Sequence, residues 1–229
     1  MQFRVYSFLT FSSFIVATLL VLWGVGAAAQ QKANLVSCKP ASERTGPEGC
    51  WIVASKEVGK LAGTAVYWTL DVYPTVEAAQ SAKTESGEVV QALGKIWLFT
   101  VGEKLKAPVQ GSRMSEIGPL PVKAGEKYTA QYMEAILAPG SVSRTHVHSG
   151  PEAFYTESGQ SCLETPAGKQ VGEKGKDIVI AEGEPMELVA TGNAMRRGIA
   201  LVLHSSGKPA TTVVESWKSK GLCLADAGK

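Results

Sequence analysis

The chain has 229 residues, 23 Lys and Arg against 21 Asp and Glu, and a formal net charge of +2. That balance, with no basic run and no interleaving of basic and aromatic residues, excludes a protein that holds nucleic acid electrostatically. Beyond the N-terminus no stretch is long and apolar enough to span a bilayer, and the roughly 200 residues that remain suffice for one sizeable core or two small ones.

Arg4 is followed by an uncharged run from Val5 through Gln31, strongly apolar across Phe14–Trp23 and ending in small residues at Ala27-Ala28-Ala29. A single positive charge, an apolar stretch and an A-x-A-like end describe a secretory signal peptide over residues 1–29, cut after Ala29. The same stretch is long enough to serve as an uncleaved anchor. Cleavage would leave a secreted or periplasmic protein with no membrane contact. All four cysteines, Cys38, Cys50, Cys162 and Cys223, lie in the exported part. An even count in an oxidising compartment predicts two disulfides. Three connectivities remain open; the expected one joins Cys38 to Cys50 and Cys162 to Cys223, the second tying the tail to the fold. There is no C-x-x-C, which argues against thioredoxin-like redox chemistry and a cysteine zinc site.

Residues 30–49 are polar and turn-rich and read as an extended, loosely packed lead-in. From Cys50 the composition changes. Trp51–Ala54 and Ala65–Val72 are rich in β-branched and aromatic residues, as strands are. Thr75 can cap a short helix with Glu77 in its first turn and Ala78–Ala82 as its body. Glu88–Ala92 and Lys95–Val101, separated by Gly94, predict two more strands. Residues 50–102 thus form a small α+β block, either a domain packed on the C-terminal half of the chain or a degenerate partner of it. Trp51, Trp68, Tyr73 and Trp97 within it are expected in a core or interface. Residues 103–125, with Pro108, Pro119 and Pro121 among Gly and Lys, read as a linker.

From Tyr128 short strands recur: 128–137, a pair around residues 146–157, 177–180, 186–190 and 197–204, with turns at Pro139-Gly140, Ser158-Gly159 and Pro166–Gly168. That spacing predicts an antiparallel jelly roll or small barrel over residues 126–223, with 224–229 as a tail. Two of the chain's three histidines stand here as His146-x-His148, with Glu152 four residues on. Residues i and i+2 of a strand share a face, so one strand can aim two imidazoles at one point. The Ser149-Gly150-Pro151 turn would return Glu152 to it. Two His and one carboxylate are a metal-binding set, of the kind that leaves coordination positions open.

An H-x-H pair alone is a weak signal, but this one sits in a longer pattern. Gly140, five residues, His146-x-His148, three residues, Glu152, six residues and Gly159 match the first sequence motif of the cupin superfamily at all its fixed positions. The C-terminal half of the chain resembles a cupin. The resemblance implies a mainly β fold, a cupin-type barrel, with His146, His148 and Glu152 as metal ligands. It also implies a second motif, whose glycines fall at Gly175 and Gly183, but its Pro position holds Ala181, its ligating His position holds Met186 and its Asn position holds Ala190. Met186 is then either a thioether ligand, which suits Cu(I), or a packing residue at the barrel mouth. Arg144 shares parity with the two histidines and is a candidate partner for an anionic substrate, as are Arg196 and Arg197, although surface positions are the simpler reading for all three. His204 is expected as a half-exposed strand-end residue, and Glu157 and Glu164 as solvated strand ends.

The resemblance further implies a divalent ion (Fe, Mn, Zn or Cu) and a small-molecule ligand or substrate. It implies a homodimer as well, since cupin barrels pair through exposed strand edges. Within that range the ligand set points to an oxygenase or related enzyme, and the lost fourth histidine to a binder without catalysis. No general base can be named from the sequence.

Overall fold

The computed structural model describes residues 1–3, 34–61 and 65–226. The signal peptide or anchor expected over residues 1–29 lies outside the described residues, apart from the first three. The chain divides into units of Met1–Lys32 and Ala33–Lys229, and the second holds every strand and helix described. No described helix is long and apolar enough to cross a membrane.

The second unit is mainly β. In chain order it contains β1 (Asn34–Val36), β2 (Cys38–Pro40), β3 (Gly49–Lys60), β4 (Val66–Tyr73), α1 (Val76–Ala82), β5 (Gly87–Ala92), β6 (Lys95–Gly102), β7 (Ser112–Leu120) and β8 (Lys127–Leu137). It continues with β9 (Ser141–Ser143), β10 (His146–His148), β11 (Glu152–Ser158), β12 (Gln160–Thr165), β13 (Gly168–Gly172), β14 (Ile178–Ile180), β15 (Glu187–Thr191), β16 (Arg196–Ser205) and β17 (Thr211–Val213). Two sheets make the barrel: β14-β11-β16-β8-β3-β2 on one side and β1-β9-β15-β12-β13 on the other, with β10 and β17 paired at its mouth. A third sheet, β5-β6-β4-β7, lies outside.

Alternation along the long strands sorts side chains into layers. On β8, Met133, Ala135 and Leu137 face the barrel interior with Phe154, Ala200 and Val202. Their neighbours Tyr128, Ala130, Tyr132 and Ile136 face the other way, into a core shared with the third sheet. Trp68 and Phe99 of that sheet meet Tyr132 at ring-centroid separations of 6.2 and 4.9 Å, and Trp97 meets Tyr155 at 5.7 Å. Trp68 and Trp97 have no exposed surface. Aromatic pairs at these distances add to the gain from burying their area. The aromatic residues of the block are core residues, as expected.

The helix also matches expectation. Ala78 N–H donates to Thr75 Oγ1 at 3.2 Å, satisfying one of the orphan donors of the first turn. Both disulfides are the expected ones, with Cα–Cα distances of 4.4 Å for Cys38–Cys50 and 5.5 Å for Cys162–Cys223.

Three boundaries differ from the sequence reading. β3, the first strand of the 50–102 block, pairs with β8 along its whole length and so belongs to the barrel wall. β7 falls within the expected linker and pairs with β4; it is an edge strand, where the exposed Pro119 is tolerated. The lead-in does more than extend: β1 adds to β9 in one barrel sheet and β2 to β3 in the other, so the chain around Ser37 bridges the two. One carboxylate also departs from expectation. Glu164 is not solvated but fully buried on the outer face of the second sheet, accepting from Leu222 N–H at 2.7 Å and from Lys220 N–H.

Candidate metal centre

β10 and the head of β11 carry the three predicted residues, and the intervening turn brings them together. Strand alternation puts His146 and His148 on one face, with ring centroids 4.8 Å apart. β10 is held by β17 on one side, His146 opposite Val213 and His148 opposite Thr211. On the other side His146 and Met186 exchange both backbone hydrogen bonds, at 3.1 and 2.9 Å. Glu152 opens β11, opposite Ile180 and Val202. One nitrogen from each imidazole and one oxygen from Glu152 all lie within 4.8 Å of one another. His148 and Glu152 are 4% and 5% exposed, while His146 is half-buried at the mouth.

Backbone carbonyls fix both rings. His146 Nδ1 lies 2.6 Å from Arg144 O, and His148 Nδ1 lies 2.8 Å from Ala210 O. A carbonyl oxygen can only accept, so each Nδ1 carries the hydrogen and each neutral ring turns a bare Nε2 inward. His148 Nε2 stands 3.0 Å from Glu152 Oε2, yet neither atom has a properly aligned hydrogen bond. Two buried acceptors this close repel one another unless a proton or a cation lies between them. The donor set and its orphaned atoms therefore fit a metal ion.

The electrostatics agree. Burial is the largest influence on His146 and holds it below its ordinary value, against the upward pull of Glu152. Burial is also the largest single influence on His148 and pulls it down. There the Glu152 charge, the contact with Glu152 and the Ala210 carbonyl together outweigh it and raise the imidazole. A proton is thus the natural competitor for any ion at this point.

The cluster opens into a cavity of about 360 Å³ between the two barrel sheets, within the range of small-molecule sites. Its walls are mostly apolar, among them Met133, Leu137, Phe154, Leu188 and Ala200. Met186 is 1% exposed, lines this cavity and packs with Phe154 and Leu163. Arg144 stays at the exposed rim, where its carbonyl rather than its side chain serves His146. Arg197 faces outward and pairs with Glu157 at 3.2 Å. His204 is half-buried outside the cavity, with Nδ1 3.0 Å from Ser205 O. Arg144 and Arg196 both line the cavity, and the buried one is Arg196, 1% exposed. Sequence could not separate it from Arg197, because which of two adjacent residues faces inward depends on the register of β16. The lead-in also contributes Val36, Ser37 and Cys38 to the wall, for which the sequence held no signal.

No protein-family model and no curated protein matches the chain. Among solved structures it resembles a cupin-like protein from Thermotoga maritima, at 16% identity over 44% of this chain and 75% of that one, with a TM-score of 0.38. It also resembles a DMSP lyase from Ruegeria pomeroyi, at 11% identity over 43% of this chain and 48% of the other (TM-score 0.34). An oxalate oxidase in complex with glycolate matches at 17% identity over 38% and 46% of the two chains (TM-score 0.32). The chain thus spans less than half the length of the lyase and of the oxidase. By its own sheet topology and the placement of its first motif, this chain has a mainly β, cupin-type fold with a His-His-Glu cluster at the mouth of the barrel.

Proposed function

We propose that this is an exported metal-binding protein in which His146 Nε2, His148 Nε2 and the Glu152 carboxylate hold one divalent ion, at which a small organic molecule binds. The observation that carries this reading is the pair of unpartnered acceptors, His148 Nε2 and Glu152 Oε2, facing each other at 3.0 Å in a buried site. Both disulfides suit an oxidising compartment, which supports export.

A bound ion of this ligand type would supply Lewis acidity or, for Fe or Mn, a place for O₂ chemistry at its open positions. The chain's own residues do the rest. The Arg144 and Ala210 carbonyls hold the rings in the metal-binding tautomer, and the apolar wall keeps bulk water off the site. Glu152 is the one carboxylate among the described residues lining the cavity, and as a ligand it is not free to act as a general base. That favours a second reading, in which the cavity binds its ligand without turning it over. Oxygen uptake in the presence of bound ligand separates the two.

Elemental analysis of the purified mature protein tests the site. About one equivalent of metal is expected in the wild type and none in His146→Ala or His148→Ala; metal retained in both variants would sink the reading. Loading requires the neutral imidazole, so it should weaken as pH falls through the raised value of His148. Met186 gives a separate check. It forms a hydrogen-bonded cross-strand pair with His146, so its side chain emerges on the same face. Met186→His should supply a fourth nitrogen and raise affinity for Zn or Mn at least about tenfold, read by competition with a chromophoric chelator. Unchanged affinity would mean that position 186 only packs.

A further inference from the structure

We propose that Arg196 is the anchor for the acid group of a small organic carboxylate, which lies along the cavity with its other end at the His146–His148–Glu152 cluster. The half of this statement that concerns the far end rests on the metal reading; the anchor does not.

Other arginines of the protein, more exposed than Arg196, are paired. Arg44 meets Glu134 at 3.1 Å, Arg197 meets Glu157 at 3.2 Å, and Arg113 meets Asp71 at 2.5 Å. Arg196 is more buried than any of these, at 1% exposure, and is left alone. Its Nε and Nη2 have no hydrogen-bond partner, and among the described residues no ion pair reaches it. Burial lowers its pKa to about 10, with Glu152 opposing, so it is still a cation at neutral pH. A buried, charged fork without a partner is strongly unfavourable. Natural folds keep such a group where a ligand completes it, and guanidinium geometry matches a carboxylate in two-pronged fashion.

The local sequence makes room for it. A Cβ at Gly198 would stand 2.9 Å from Arg196 Nη2 and 2.3 Å from Tyr155 O, so the side chain can lie back along β16 only over a glycine. It therefore points along the inward face toward the cluster. On that face the cross-strand pairs run Thr156–Gly198, Phe154–Ala200 and Glu152–Val202. Gly198 and Val202 are separated by roughly 13 Å of strand. Phe154, Ala200 and Met133 fill the interval, apolar and with one small residue among them. The site thus reads as cation, apolar spacer, metal ligands. Glu152 is the sole carboxylate among the described lining residues. With a divalent ion bound, the interior would be net positive, which suits an anion and disfavours a cation or a zwitterion.

The test uses the full mature protein with hexanoate and benzoate as probes, and hexanamide and benzamide as their uncharged counterparts, by calorimetry. Wild type should prefer each acid over its amide at least about tenfold, and Arg196→Met should weaken acid binding at least about 30-fold while leaving amide binding nearly unchanged. In the absence of ligand, Arg196→Met should raise Tm by about 3–6 °C, because it removes an unpaired buried charge. A fall in Tm with acid binding retained would mark Arg196 as structural and overturn the proposal. So would equal binding of acid and amide by wild type. Should Arg196→Met not fold, Arg196→Lys decides, with an acid preference expected between that of wild type and none; an undiminished preference overturns the anchor. Metal content measured on the same samples separates the two readings. Metal present with no acid preference defeats this inference alone. Acid preference that is lost in Arg196→Met, with no metal in the purified wild type, defeats the metal reading alone.

Discussion

Gly150→Ala is expected to unseat Glu152, lowering Tm by about 6–12 °C and weakening metal binding at least about a hundredfold. A Cβ at residue 150 would stand 1.9 Å from Leu203 O and 3.0 Å from His204 Cα. Both belong to the backbone of β16, which lies between β11 and β8 and cannot move aside. Relief can come only if Ser149–Pro151 lifts off. That motion breaks the hydrogen bonds Leu203 N–H to Pro151 O at 2.9 Å and Ser205 N–H to Ser149 O at 3.0 Å. Two buried backbone bonds and the displaced packing amount to about 2–4 kcal/mol. The next residues in the chain are Pro151 and Glu152, so the carboxylate leaves its place opposite His148. Gly207→Ala, where an added Cβ meets nothing within 4 Å, is the control. Thermal unfolding with and without added metal measures both effects, and a Gly150→Ala protein that melts and loads like the wild type would contradict the close approach.

The second large effect is at the Cys162–Cys223 bridge. It joins residues 61 apart in the sequence, against 12 for Cys38–Cys50. Loop-closure entropy assigns about 4 kcal/mol to the longer loop and about 3 kcal/mol to the shorter. The longer bridge also has a local partner. Glu164 lies two residues from Cys162 on the same outer face and accepts from the backbone N–H groups of Lys220 and Leu222; Ser219 Oγ–H donates to Glu187 at 2.6 Å. Losing the bridge frees the tail and leaves a buried carboxylate without its donors. The Cys162→Ser, Cys223→Ser variant should therefore lose at least about 4 kcal/mol and show faster amide exchange over β12 and β15. Urea unfolding checks it. A smaller loss than in the Cys38→Ser, Cys50→Ser variant would show that the tail is not held as described.

The parts of this architecture that local pattern encodes were legible in the sequence. The His146-x-His148 and Glu152 spacing is fixed by strand period and one turn, and Thr75 with Glu77 is a local signal for a helix start. What was not legible depends on partners distant in the chain. β3 looks like any β-branched strand, and only its pairing with β8, far along the chain, puts it in the barrel wall. Ser112–Leu120 carries Gly118 and Pro119, which an edge strand tolerates because it needs only one neighbour, so its composition reads as a loop. Glu164 looks solvated until the tail folds over it. Arg196 and Arg197 are adjacent and alike, and their opposite fates follow from the register of β16, where the pairing with β11 shifts between Thr156 and Ser158.

The layered construction gives the pocket two unlike walls. Glu152 and Arg196 stand on a sheet backed by tryptophans and a further sheet, so that side behaves as a fixed floor. The imidazoles hang on a three-residue strand, held by an equally short, largely exposed neighbour and by a single bridge at Met186. Strain from an incoming guest will be absorbed on the thin side, where little packing must be undone. The Arg196 end should keep its dimensions while the surroundings of His146 and His148 adjust, so that size selection is set by the rigid floor rather than by the doorway.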